Sequence, residues 1–96
     1  KYSVIGFNPE ETQILVKEVF EEEIYKIDQL HKPAVIIDCG AYTGLSTLWF
    51  REKYPDVKVV SIEPNWMSYD FMQENISLNK RASKIEAIKT IMQSIK

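Results

Sequence analysis

Two carboxylates and two glycines carry the chemistry this sequence can do. Asp38 ends the apolar run Val35-Ile36-Ile37, Gly40 and Gly44 follow it, and Glu63-Pro64 closes a second apolar run further on. A glycine turn between a strand and a helix lets a ligand approach bare backbone at the helix N-terminus. An acidic side chain ending the neighbouring strand is placed to grip the two hydroxyls of a ribose. Together they predict a nucleotide-type pocket. A dinucleotide fingerprint needs glycines at its first, third and sixth positions, and counting from Gly40 those places hold Tyr42 and Leu45. Both are too bulky for a pyrophosphate to close on the backbone. Asp38 ahead of the turn also repels phosphate. It suits a ligand with a positive amino-acid end, unless it serves to hold the turn by accepting backbone N–H groups. No Gly-Lys-Ser/Thr follows Gly44, which excludes a P-loop.

Those residues need parallel strands to hold them at one edge, and the chain supplies the elements in order. Tyr2 to Phe7 reads as a short edge strand or an extended lead-in. Asn8 caps a helix that starts at Pro9 with Glu10 and Glu11 in its first turn, carries Ile14, Leu15 and Val19 on one face, and runs to about Tyr25. Lys32-Pro33 breaks the chain. Ala34 to Ile37 has no polar alternation and predicts a strand buried on both faces. Cys39 then points away from Asp38 as a small buried hydrophobe. Leu45 to Tyr54 is helical, with Leu45, Leu48 and Trp49 inward and Phe50 packed beside them, and Val57 to Ile62 forms a second strand. Asn65 caps a third helix whose inner face holds Tyr69 or Met72, Ile76 and Asn79. The last segment points two ways. Ser83 and Glu86 form a capping box with Ile85, Ile88, Met92 and Ile95 at helical spacing, yet 84–89 alternates like a strand. A strand–helix–strand–helix series favours the strand.

Composition narrows the function classes. The 96 residues are 45% hydrophobic and 27% charged, as in an ordinary globular domain or part of one. A net charge of −2 and a pI near 5.4 give no general pull toward nucleic acid or anionic membrane. The cluster Lys80-Arg81 with Lys84 is too short for a polyanion site. Cys39 is the sole cysteine, so an intrachain disulfide is excluded and a reduced, cytoplasmic setting fits. No apolar run is long enough to span a membrane, and no signal-peptide core is present. The first residue is Lys1 rather than methionine, which predicts sequence upstream. His31, the sole histidine, precedes the first strand at the edge opposite the glycine turn and reads as a surface residue. No metal is expected.

The run Ile37-Asp38-Cys39-Gly40-Ala41-Tyr42-Thr43-Gly44-Leu45-Ser46-Thr47, then Tyr54-Pro55, then Ile62-Glu63-Pro64-Asn65, resembles the FkbM-type S-adenosylmethionine-dependent methyltransferases. Lys17 to Phe20 and Ile24 to Asp28 resemble the lead-in of that family. The resemblance covers roughly residues 11 to 80 and implies a partial Rossmann-like class I methyltransferase fold. About three parallel strands with flanking helices are then expected. Residues 1–32 would be a helical lead-in and 33–96 the cofactor-binding half. Asp38, Gly40, Ala41 and Gly44 would line the methionine and ribose side of S-adenosyl-L-methionine, with Thr43 and Ser46 at the helix start. Glu63 would hold the ribose diol. Pro64 or the following Asn65 and Trp66 would lie against the adenine, although Trp66 equally suits a place packed on the sheet. The acceptor would be a sugar or small-metabolite hydroxyl, and the catalytic residues are expected outside these residues. A strand order of 3-2-1 leaves the first strand unpaired on one side, where a homodimer could form. The rival readings are a non-catalytic α/β module that associates with another chain and an NAD-dependent oxidoreductase fragment.

Overall fold

In the computed structural model, residues 3–26, 35–79 and 85–89 are described. His31, Lys32-Pro33, Ser83 and the cluster of Lys80, Arg81 and Lys84 lie outside them. Three parallel strands, β1 (Val35–Cys39), β2 (Lys58–Ile62) and β3 (Ile85–Ile88), form a sheet in the order β1-β2-β3. The ambiguous last segment is therefore a strand where it is described. Right-handed crossovers need helices between parallel strands. Here α2 (Leu45–Lys53) and α3 (Trp66–Leu78) supply them.

Register decides which side chains meet those helices. Asp38 stands opposite Ser61 and Ile36 opposite Val59, while Val59 and Ser61 stand opposite Ile85 and Ala87. Because alternate residues share a face, these six point to one side. There a core of Val19, Ala41, Leu45, Leu48, Trp49, Met72 and Ile76 is buried, with Ile85 and Ala87 packed against it. The other face is open. Val35 and Cys39 are exposed, and Ile37 keeps 63% of its surface in solvent. This corrects two expectations, that β1 is buried on both faces and that Cys39 is a buried hydrophobe. An apolar strand of a parallel sheet needs a layer on each side, and the described residues provide one.

The helix α1 (Pro9–Val16) starts as expected, Asn8 Oδ1 accepting from the Glu11 N–H at 2.7 Å. It then widens into a π-helical stretch, Lys17–Glu21, and stops short of Tyr25. The stop is local: Glu23 takes a left-handed conformation (φ 49°), and its carboxylate accepts from Lys53 at 2.9 Å. The aromatic rings of Tyr25, Trp49 and Phe50 cluster beside this clamp.

On α3 the inner face is Ser68, Met72, Asn75 and Ile76, so a polar residue sits at the centre of the packing. Asn75 is fully buried and fully bonded. Its Oδ1 accepts from the Ile5 N–H at 2.7 Å, and its Nδ2 donates to the Ile5 carbonyl (2.9 Å) and the Thr43 carbonyl (2.8 Å). One turn on, Asn79 Oδ1 accepts from Ser3 N–H at 2.8 Å and its Nδ2 donates to the Ser3 carbonyl at 2.7 Å. Residues two apart on an extended chain are separated by about 6.6 Å, and residues four apart on a helix rise by about 6 Å. Two side-chain amides on one helix therefore pair with an extended segment as a neighbouring strand would.

Replacing Asn75 by leucine removes three hydrogen bonds and strands backbone groups of Ile5 and Thr43. Asn75→Leu is expected to cost about 2–4 kcal/mol in urea denaturation. Asn79→Leu, at the partly exposed end of the ladder, is expected to cost about 1 kcal/mol. A loss at Asn75 within about 0.5 kcal/mol, as at an ordinary surface position, would refute the ladder's structural role.

Candidate functional site

The carboxyl ends of β1 and β2 turn side by side, and one carboxylate joins them. Gly40 and Ala41 N–H groups both donate to the Ile62 carbonyl, at 2.8 and 3.0 Å, which folds the turn back over β2. Tyr42 follows in a left-handed conformation (φ 55°), and its N–H donates to Glu63 Oε1 at 2.7 Å. The Asn65 N–H donates to Glu63 Oε2 at 3.0 Å, while Glu63's own N–H donates to Ile88 at 3.0 Å. Glu63 is 7% exposed. A carboxylate offers about four acceptor sites. Both oxygens of Glu63 thus keep a lone pair each after holding the two turns, which is what a vicinal diol requires.

Asp38 lies one strand over on the same face. Its Oδ2 accepts from Ser46 Oγ at 2.6 Å and from Thr47 Oγ1 at 3.1 Å. It therefore anchors the first turn of α2 through hydroxyls, while the Gly40 and Ala41 N–H groups go to Ile62 and that of Tyr42 to Glu63. Burial raises the Asp38 carboxyl above its ordinary value; the Ser46 and Thr47 bonds oppose that rise, and the charge of Glu63 adds to it. Asp38 near the end of β1 and Glu63 just past the end of β2 thus flank the same glycine turn. Tyr25 lines a small cavity with residues 40–43, and its hydroxyl is raised first by burial and then by the Asp38 charge.

The two glycines serve different ends. Both have positive φ, 72° at Gly40 and 91° at Gly44. A Cβ on Gly40 would meet nothing within 4 Å, so this backbone is open to a ligand. A Cβ on Gly44 would come 2.8 Å from Met72 Cγ, so the residue that precedes α2 packs tightly against α3 here. Among the other residues singled out, Ala41 is in the core, Thr43 is buried with its carbonyl on Asn75, and Ser46 is buried on Asp38. Pro64 is half-buried, and Asn65 is exposed and caps α3 by accepting from the Ser68 N–H at 3.0 Å. Trp66 is 61% exposed and lines a groove with Ile5, Phe71 and Leu78, so it is not packed on the sheet. The crevice is narrow where α1 and its π-helical extension approach the turn: a cavity of about 60 Å³ lies between Leu15, Val19, Tyr25 and residues 40–43. Ligand pockets usually hold about 300–1,000 Å³, so this cavity by itself is smaller than such a pocket.

Tyr42, Thr47, Ser61 and Asn75 were not legible as site residues. Tyr42 acts through its backbone, and Thr47 and Ser61 are found only through the strand register. Asn75 carried a signal, a polar residue among apolar ones at helical spacing. Among the described residues no three His, Cys, Asp or Glu side chains gather as a metal ion would need. No helix among them is long and apolar enough to cross a membrane.

Comparison with known proteins places this geometry. No family model matches the chain. It is 34% identical over 84 residues to Methyltransferase sdnD of Sordaria araneosa, an alignment that covers 88% of this chain and 32% of that protein. Among solved structures, P. horikoshii TYW2 in complex with MeSAdo superposes with a TM-score of 0.55 and 27% identity, over 66% of this chain and 24% of that one. Coclaurine N-methyltransferase bound to N-methylheliamine and SAH gives a TM-score of 0.57 at 16% identity, over 94% of this chain and 25% of that one. The fold is a partial Rossmann-like methyltransferase fold. The chain spans about a third of the length of sdnD.

Two measurements probe this part of the methyltransferase fold. Gly44→Ala adds a backbone strain and a clash with Met72, and is expected to cost about 2–4 kcal/mol. Gly40→Ala carries the strain alone and is expected to cost about 1–2 kcal/mol. Equal losses in denaturant titration would contradict the assignment of Gly44 to packing. For Asp38 the folded carboxyl binds its proton more tightly than the unfolded one, so stability falls as pH rises from its ordinary value, 3.8, through the raised folded value. Asp38→Asn should therefore be more stable than wild type at pH 7, and the gap should close as pH drops below 3.8. A gap that widens in acid would contradict the burial of this group.

Proposed function

We propose that this chain is the cofactor-binding half of an S-adenosylmethionine-dependent methyltransferase of the FkbM type, acting on a hydroxyl of a small metabolite or sugar. The observation that carries it is that Asp38, near the end of β1, and Glu63, just past β2 and bonded to the Tyr42 N–H, flank one glycine turn with open backbone at Gly40. S-Adenosylmethionine supplies an electrophilic methyl group when bound. Its positive amino-acid end suits Asp38, whose burial as an anion is costly without a cation nearby. Its ribose diol suits the two lone pairs left on Glu63. Gly40 admits the ligand against the turn, and Pro64 and Asn65 at the end of β2 are positioned beside the adenine. The names of the relatives support methyl transfer, and the complexes of the solved neighbours with SAH and MeSAdo support the cofactor. The hydroxyl acceptor rests on the FkbM resemblance. The residues that bind it belong to the remainder of the protein, since alignment of acceptor and methyl group needs the other half of the pocket.

Titration calorimetry of the full-length protein with S-adenosylhomocysteine and with NAD tests this. Binding of the former is expected, weakened about 10–100-fold by Glu63→Ala, the range for a charge-assisted contact. Binding of NAD alone would replace the proposal with an oxidoreductase. The open face of β1 favours a second statement, about association. We propose that the 96-residue chain alone pairs with a second copy through the edge of β1 that has no partner strand among the described residues, beside the face where Val35 and Ile37 are exposed. Sedimentation at micromolar concentration should show dimers or larger species, and an ideal monomer would refute it.

A further inference from the structure

A buried hydroxyl chain beneath Asp38 assigns work to two residues outside the turn. Thr47 Oγ1 lies 3.1 Å from Asp38 Oδ2 and 2.6 Å from Ser61 Oγ, and neither Thr47 nor Ser61 has any surface in solvent. A threonine hydroxyl has one proton. Thr47 spends it on the carboxylate, so the short contact to Ser61 requires Ser61 to be the donor. The protons therefore run one way, from Ser61 to Thr47 to Asp38. Ser46 donates to the same oxygen at 2.6 Å. Oδ2 is held from two sides, and Oδ1 has no hydrogen-bond partner among the described residues.

Hydroxyls in such a chain strengthen one another, and a carboxylate tied at one oxygen by two donors has little freedom to rotate. We propose that Thr47 and Ser61 are positioning residues that fix the Asp38 carboxylate so that Oδ1 receives the ammonium group of the cofactor's amino-acid end. The proposal rests on the cofactor assignment above and deepens it. A purely structural role for the two hydroxyls would disturb binding of the whole nucleoside alike. A positioning role is felt only by a ligand that carries the amino-acid end.

The test uses two ligands on the full-length protein, S-adenosylhomocysteine and 5′-methylthioadenosine, which lacks that end. Thr47→Val keeps the shape and loses the donor, and is expected to weaken S-adenosylhomocysteine about tenfold while methylthioadenosine changes less than about twofold. Thr47→Ser should restore the difference between the two ligands. Ser61→Ala, which leaves the Thr47 bond to Asp38 in place, should act in the same direction by about two- to fivefold, and it serves if the valine variant does not fold. Equal losses for both ligands, or no loss for either, would overturn the positioning role while leaving the cofactor assignment intact. Failure of the wild-type protein to bind either ligand would overturn both.

Discussion

One carboxylate closes two turns at once. Glu63 takes an N–H from Tyr42 in the loop after β1 and another from Asn65 in the loop after β2. Neither loop could keep its shape alone, since Tyr42 is held in a left-handed conformation that a tyrosine seldom adopts. With Glu63 in place, the backbone at Gly40 stays folded over Ile62, and the start of α3 is fixed relative to the start of α2. Ligand affinity in such a site comes from groups already held in position. The same carboxylate oxygens that tie the two turns together each keep a lone pair unused by them.

The neighbouring acid stands in a different balance. Asp38 has hydroxyl donors on one oxygen, a like charge across the crevice, and burial that disfavours its anion. Groups perturbed by burial and a like charge cluster at functional sites. The cavity beside the turn is small, and the grooves of greater volume lie along the N-terminal segment and the outer side of α3, away from both acids. Polarity, more than available space, marks this place in the chain.

Much of the fold could be read before the structure, and the failures have physical causes. The β-branched run before Asp38, the caps at Asn8 and Asn65 and the break at Tyr54-Pro55 all act through near neighbours, so their signals are local. The third strand was settled by the order of elements, because its own residues at 84–89 fit two periods. Burial was misjudged where it depends on distant parts: Val35, Ile37 and Cys39 face outward because nothing described covers them. The length of the first helix was overestimated because a π-helical stretch and the left-handed Glu23 leave no mark in apolar spacing. In the site, Asp38, Gly40 and Glu63 were legible because their chemistry is tied to strand ends. Thr47 and Ser61 were not, since which hydroxyl faces which acid depends on a register between strands. Gly44 was legible as a glycine position, but its reason, the approach of Met72, is tertiary.

The pairing of Asn75 and Asn79 with Ser3 and Ile5 reads main-chain atoms alone. Such a ladder is indifferent to which side chains the N-terminal segment carries, and a slide of two residues would satisfy it equally well. What forbids the slide is Phe7, wedged between the ring of Tyr42, with centroids 5.6 Å apart, and that of Phe71, at 4.9 Å. Alignment of the segment thereby depends in part on one aromatic ring stacked against Tyr42 of the glycine turn. Drift at the chain's beginning and distortion of the crevice are in this way the same event.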